Sequence, residues 1–424
     1  MQQTLKGTYD ILPDRYQQYD YISNKFKSVV ERYGYKMAET PVIENAAVFM
    51  KENATSDMVT KEMYAFSMKG KKGEYTIALR PEGTAGIMRM ILENKLYGNS
   101  ELPLKLAYVE PMFRHDHSQK GRQRQFTQMG IENVGLKSAL IDAEVIACGH
   151  QFMQELGISN IKILINTLGD ASSRENYASI LKEYFADKLD CLCEDCQNRY
   201  HKNPLRILDC KIDSGKDVVT SAPLLQDSLD QESKDYFLQV QDYLKSLNIE
   251  YEIDQRLVRG LDYYTDTVFE VVSTDPSAGA QATLFAGGRY DDLAQEMGSS
   301  EPLSGIGFAI GLERLYYALE AENLLPEFNF DSDVYVISLG ISAYSLQIAT
   351  LLRRLGKKVS LNTQERSLKS QFKSADRVNA KYICIVGEEE EKNKVVQIKN
   401  TVNKTQEEVK FSDLEEYFKG EENA

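Results

Sequence analysis

Residues 113–132 read Phe113-Arg114-His115-Asp116-His117-Ser118-Gln119-Lys120-Gly121-Arg122-Gln123-Arg124-Gln125-Phe126-Thr127-Gln128-Met129-Gly130-Ile131-Glu132. Strand-like alternation over 104–114 and 124–134 encloses a tip rich in Lys and Arg, the pattern of a long hairpin. On the second strand, a period of two sets Phe126, Gln128, Gly130 and Glu132 on one face, polar where a core is apolar. Gln128 and Glu132 with a glycine between them make either a wall for a small polar ligand bearing N–H groups or a solvated surface ribbon. Arg114 ends the first strand, where its fork of donors matches a phosphate or carboxylate over the same face.

Outward from the hairpin, helical spacing over 14–33 (Tyr19, Ile22, Phe26, Val29, Val30) stops at Gly34. Residues 35–43 read as a strand in which Pro41 marks an edge, a bulge or an interface. A strand at 75–79 ends in Arg80-Pro81-Glu82-Gly83-Thr84, followed by a helix to 94 that Thr84 is placed to cap; Glu82 and Thr84 on this turn either receive an ammonium group or start the helix. A helix at 142–156 and a short strand at 161–165 precede residues 171–248, which show helical periodicity, a cysteine cluster and no clear strand: a helical insertion in a sheet domain.

Strand-like sequence resumes over 251–272 and contains Arg259-Gly260-Leu261-Asp262-Tyr263-Tyr264. The tyrosines either present a hydroxyl and a ring to a ligand beside a fixed cation, or fill a core. Gly287-Gly288-Arg289 follows, then the glycine-spaced strand 305–311 and a helix over 312–323. The apolar stripe of that helix (Leu312, Leu315, Tyr316, Leu319) leaves Arg314 off it, so spacing alone predicts a solvated arginine. After a linker at 326–332, strands and helices alternate from 333 onward, predicting a small α/β domain with a largely parallel sheet.

The chain has 424 residues, 42% hydrophobic and 27% charged, enough for two or three domains with a sizeable core. No apolar run approaches the ~18 residues of a membrane helix, and residues 1–10 lack an apolar segment of a secretory signal, which points to the cytoplasm. The net charge of -14 argues against coating nucleic acid through overall charge, and leaves room for a local basic surface. With no export signal, the six cysteines read as reduced thiols.

Together these segments resemble the histidyl-tRNA synthetases, within the class II aminoacyl-tRNA synthetases. Residues 34–43 are similar to motif 1, 113–132 to motif 2 and 305–314 to motif 3; Leu257-Val258-Arg259-Gly260-Leu261-Asp262-Tyr263-Tyr264 and Gly287-Gly288-Arg289-Tyr290-Asp291 are similar to stretches peculiar to the histidine enzymes. The resemblance implies an α+β catalytic domain over 1–325 with a six-stranded antiparallel sheet, a helical insertion over 171–248, and a C-terminal α/β anticodon-binding domain over 331–424. It implies a homodimer without membrane attachment, whose substrates are L-histidine, ATP with magnesium, and histidine tRNA. The alternative is the synthetase-like regulatory subunit of ATP phosphoribosyltransferase, which normally lacks the C-terminal domain.

The same resemblance assigns roles. Arg114 and Arg259 act on the α-phosphate as the catalytic cations; Arg114, Asp116, Arg122 and Arg314 bind ATP; Glu82, Gly83, Thr84, Arg114, Gln128, Glu132, Arg259, Tyr263 and Tyr264 surround histidine. Glu132 and Tyr264 take the imidazole nitrogens, and Glu82, Thr84 and Gln128 the ammonium and carboxylate end. Asp116 stands where the family usually has Glu, and Asp292 is a lesser departure. Gln119 at the hairpin tip is the candidate reader of the extra 5′ guanosine of histidine tRNA. Between 353 and 381 there are nine Lys or Arg against two acids, the electrostatic footprint of phosphate contact, with Arg353, Arg354, Lys369 and Lys373 expected at the tRNA. Cys193-x-x-Cys196 with Cys191, His201 and Cys210 nearby has the donor types zinc prefers, but it lacks a second paired motif, and no zinc is expected.

Overall fold

The structure is a computed structural model, and it describes residues 2–50, 56, 58–71, 73–98, 101–116, 121–210, 212–258, 263–275, 283–329, 331–340 and 342–420. The chain forms two compact units, Met1–Pro326 and Glu327–Ala424.

In the first unit, helix α1 (Pro13–Arg32) starts with proline in its first turn, where the missing N–H costs nothing, and buries Tyr19, Ile22, Phe26, Val29 and Val30 on one stripe. It ends where Gly34 takes φ +82°: the Gly34 amide donates to Glu31 and the Tyr35 amide to Val30, closing the last carbonyls. The single strand expected over 35–43 is two short ones, β1 (Lys36–Met37) and β2 (Ile43–Asn45), in different sheets. Pro41 lies in the break, where it has no ladder bond to give. β2 pairs with β4 (Gly73–Leu79), which pairs with β3 (Ala65–Gly70). Helix α2 (Thr84–Glu93) follows, then the long hairpin β5 (Leu104–Phe113) and β6 (Gln125–Val134).

Helix α3 (Ala139–Glu155), β7 (Ile161–Thr167) and the helices α4 (Ala171–Phe185), α5 (Glu194–Lys202), α6 (Asp217–Thr220) and α7 (Gln231–Ser246) come next. They are followed by β8 (Glu252–Ile253), β9 (Thr265–Ser273), β10 (Thr283–Arg289), α8 (Leu293–Glu296), β11 (Gly305–Gly311) and α9 (Leu312–Ala321). The main sheet runs β1-β5-β6-β11-β10-β9-β7-β8. Its six central strands are antiparallel, and the two short edge strands are parallel to their neighbours. One face, with Met129, Ile131, Phe269, Phe308 and Ile310, packs against α1, α3 and α9. Of the segment read as a helical insertion, α4 to α6 gather around their own core of Tyr177, Leu181, Phe185, Ile207 and Leu225. Helix α7 instead contributes Phe237, Val240 and Leu244 to the main core.

The second unit holds β12 (Val334–Ser338), α10 (Ala343–Arg354), β13 (Val359–Leu361), α11 (Leu368–Arg377), β14 (Tyr382–Val386), α12 (Glu388–Asn393), β15 (Val395–Asn400), β16 (Thr405–Lys410) and α13 (Leu414–Gly420). β13-β12-β14 are parallel, as alternation predicts, whereas β15 and β16 extend the sheet antiparallel. The two faces of β12 separate the helices: Val334 and Val336 pack with α10 and α13, and Tyr335 and Ile337 with α11.

Candidate active site

The face of the main sheet opposite α1, α3 and α9 carries the polar positions of the hairpin. Gln128, Gly130 and Glu132 are all buried there, so the solvated-ribbon alternative does not hold. Their depth is set by Tyr108, directly across from Gly130 on β5: a Cβ at Gly130 would stand 2.4 Å from its ring. Gly307 on β11 opposes Glu132, and a Cβ there would stand 2.1 Å from the carboxylate. The glycines of 305–311 thus make space for side chains of the site rather than a phosphate cradle.

Glu132 is the centre of this arrangement. Its Oε1 accepts from the Thr84 hydroxyl at 2.6 Å and the Tyr108 hydroxyl at 3.4 Å, and its Oε2 from the Tyr290 hydroxyl. Burial, with the Glu82 carboxylate nearby, raises its carboxyl to about 8 against the pull of the hydroxyl bonds. A chain of rings leads away: Tyr290 to Tyr263 at 6.0 Å between centroids, and Tyr263 to Tyr264 at 5.2 Å. Spacing along the chain assigns no role to Tyr108 or Tyr290, although Tyr290 lies in the stretch 287–291 that resembles the histidine enzymes.

The turn 80–84 is pinned from below by Arg80, buried and paired with Glu110 at 3.0 Å, its Nε donating to the Pro111 carbonyl at 2.8 Å. The residue that caps α2 is Glu82, not Thr84: its carboxylate accepts the amides of Thr84 at 2.6 Å and Ala85 at 2.8 Å, while burial holds its carboxyl above the usual range. The Tyr263 hydroxyl donates to the same carboxylate at 3.5 Å, and the Gly83 amide donates to Gln128 Oε1 at 3.0 Å. The Thr84 hydroxyl donates to Glu132, so the residues expected at the two ends of histidine meet directly.

Three cations meet beside this pocket. Arg114 donates through Nε to the Pro81 carbonyl at 2.7 Å and lies over the Phe126 ring. Arg122 pairs with Asp116 at 3.2 Å, so the shorter acid at 116 closes the hairpin base. Arg314 is half-buried, against the expectation from its helix stripe; its Nε donates to the Gly121 carbonyl at 3.4 Å. Burial and the charges of Arg122 and Arg114 push its guanidinium down to about 10, still a cation at neutral pH. Holding three like charges together costs free energy that an anion of several charges recovers. The neighbouring Glu313 is buried and accepts from the Thr127 amide at 2.9 Å and the Tyr9 hydroxyl at 3.5 Å, which ties α9 to β6 and to the N-terminal segment. Arg259 and Gln119 lie outside the described residues.

A family model described as Histidyl-tRNA synthetase matches residues 7–315, and one described as Anticodon binding domain matches 333–421. The chain is 43% identical over 407 residues to the histidine–tRNA ligase of Bacillus cytotoxicus, covering 95% of each. It belongs to the histidyl-tRNA synthetase family. A histidine–tRNA ligase of Geobacillus sp. is 42% identical over 417 residues, 98% of each chain. The apo histidyl-tRNA synthetase of S. aureus superposes with a TM-score of 0.81 at 36% identity, over 99% of this chain and 100% of that one.

Within this histidyl-tRNA synthetase fold the insertion reaches the pocket wall. Arg174 on α4 donates to the backbone carbonyl of Tyr264 and, at 2.9 Å, to Asp292. Asp292 thus helps hold the strand entry that carries Tyr264. Arg174→Met is expected to raise the KM for histidine about 5-fold, the worth of roughly 1 kcal/mol of lost hydrogen bonding, with the KM for ATP unchanged. Pyrophosphate exchange at varied histidine measures the split, and Arg174→Lys restores part of it.

The basic residues of the second unit do not share one surface. Arg353 and Arg354 are exposed at the end of α10, Lys369 and Lys373 on α11, and these helices cover opposite faces of the sheet. No helix among the described residues is long and apolar enough to cross a membrane.

Proposed function

We propose that Glu132, Thr84, Tyr108, Tyr290 and Tyr264 surround the imidazole of histidine, that Glu82 receives its ammonium, and that Arg114, Arg122, Arg314 and Arg259 bind the phosphates of ATP. The chain is an ATP-dependent histidine–tRNA ligase. The observation that carries the site reading is the buried carboxyl of Glu132, ringed by three hydroxyls, beside three converging guanidiniums.

In the first step a carboxylate oxygen of histidine bonds to the α-phosphorus of ATP; the bond to the bridging oxygen breaks, and pyrophosphate leaves with the electron pair. Arg114 and Arg259 neutralise charge at the α-phosphate, and Arg122 and Arg314 hold the outer phosphates, which carry magnesium as the nucleotide usually does. In the second step a terminal ribose hydroxyl of histidine tRNA attacks the carbonyl carbon, and AMP leaves. A ring nitrogen of histidine pairs with Glu132, and an amino acid without one forgoes that charge-assisted contact in a buried site, which is the source of selectivity.

The regulatory-subunit alternative normally lacks an anticodon-binding domain, whereas residues 333–421 match one. Among the described residues of 37–75, seven large apolar side chains stand exposed (Met37, Val42, Ile43, Met50, Phe66, Met68, Tyr75), which supports a homodimer formed through the motif 1 region. Charging of histidine tRNA tests the RNA step. Lys369→Ala with Lys373→Ala is expected to raise the KM for tRNA several-fold, to reduce the salt slope by about 2, and to leave pyrophosphate exchange unchanged. Equal charging by the variant at all salt concentrations refutes the α11 assignment.

A further inference from the structure

The insertion brings a fourth oxygen or sulfur donor to its cysteines, one that the cysteine pattern hides. Cys193 and Cys196 have two residues between them, and so do Cys210 and Asp213, which makes Cys-x2-Cys-x13-Cys-x2-Asp a doubled motif closed by a carboxylate. In the fold the three sulfurs and a carboxylate oxygen lie within 4.8 Å of one another. Cys193 Sγ and Cys210 Sγ are 3.7 Å apart. Thiolates at about 2.3 Å around a tetrahedral zinc stand ~3.8 Å apart. We propose that Cys193, Cys196, Cys210 and Asp213 form a structural zinc site.

The surroundings suit a metal. Cys196, Cys210 and Asp213 are buried and Cys193 partly so, a placement that favours a closed four-ligand site over a catalytic one with an open position. The Ile212 amide donates to Cys210 Sγ at 3.4 Å, and the Cys193 amide to Asp213 Oδ2 at 2.8 Å, so backbone groups orient a thiol and the carboxylate as outer-shell partners do. Lys216 Nζ stands 2.7 Å from Asp213 Oδ1. Three thiolates and one carboxylate carry four negative charges, which a divalent ion and this ammonium reduce to one. Sulfur donors select zinc over magnesium or calcium. Cys191 and His201, neighbours in sequence, stand outside the group: Cys191 is exposed, and the ring of His201 packs edge-on against Tyr200.

The need for a staple is visible in the packing. The described residues of 189–228 form only the short helices α5 and α6 and single 3-10 turns, packed with α4 around a core that includes Cys196 and Cys210 themselves. Such cores commonly depend on a metal or cross-link. The proposal departs from the expectation of no zinc, which rested on the lack of a second paired motif.

The test is elemental analysis of the full chain, purified under reductant without chelator. The expected result is about one zinc per chain, retained by Cys191→Ser and lost from Cys196→Ser and Cys210→Ser. Asp213→Cys, which keeps four donors, guards against misfolded variants. After removal of zinc and loading with cobalt, it should retain one metal and raise the thiolate-to-cobalt charge-transfer band by about one third, as three thiolates become four. Less than ~0.1 metal per chain together with no cobalt uptake by the wild type overturns the site. So does a wild-type cobalt spectrum without thiolate charge transfer, or a disulfide within the cluster in freshly purified protein.

Discussion

Alanine at position 114 is expected to lower kcat/KM for histidine-dependent pyrophosphate exchange by about 10²–10³, the usual cost of one preorganised donor at a developing oxyanion. Arg114 is held by its own Nε bond to the Pro81 carbonyl and by the Phe126 ring beneath it, so its charge is fixed before substrate arrives. Little reorganisation is then left for the moment of transfer, which is why the loss falls on kcat. Arg114→Lys restores only part of it, because an ammonium lacks the second arm of the fork and the stacking surface. Stability should change little or rise, since removing one of three mutually repelling cations relieves Arg314 and Arg122. Thermal denaturation of Arg114→Ala beside its exchange kinetics separates a lost transition-state contact from a damaged fold.

Glu132→Ala is expected to reduce kcat/KM for histidine by about 10²–10³ while the KM for ATP stays within about 2-fold, since it strips a buried partner from the ring and leaves the hydroxyls of Thr84 and Tyr290 without their acceptor. The pH dependence is more specific. Folding raises this carboxyl from 4.5 to about 8, so the folded state binds the proton more tightly than the unfolded chain. That contribution to stability is full below about 4.5 and is lost as pH rises to about 8, at up to ~1.4 kcal/mol per unit. Glu132→Gln lacks the titration, so its stability relative to wild type should improve steadily from pH 5 to pH 8. Histidine binding follows the same group. A neutral imidazole meeting a protonated Glu132 holds the same protons as the ion pair, so affinity is flat between the ring pKa of about 6.5 and about 8. Above that, wild type loses up to about 10-fold per pH unit more than Glu132→Gln; parallel profiles for the two proteins would remove Glu132 from the ring contact.

What could be read from the sequence was local periodicity and order. The period of two over β6 placed Gln128 and Glu132 on one face, and α1 ended at the glycine where its spacing stops. What escaped the reading depends on register between distant strands. Tyr108 reaches Glu132 because antiparallel pairing sets it across from Gly130, and Tyr290 because Gly305 makes room for its ring; neither fact has a signal in a window of ten residues. Arg314 lies off its helix stripe, which predicts a solvated side chain, yet Gly121 of the hairpin comes back to it across nearly two hundred residues of chain. The clustered basic residues of 353–381 are one patch along the chain and two in space, because β12 turns alternate side chains to opposite helices. Asp213 was overlooked for a different reason: aspartates are common, and only the convergence of three thiols on one of them marks it.

The most direct test of the central claim is exchange of labelled pyrophosphate into ATP, without tRNA, with each of the other amino acids as a control. The account predicts exchange that depends on histidine and is near background with every other amino acid. No exchange with histidine, in protein shown to be folded, or equal exchange with several amino acids, would contradict it.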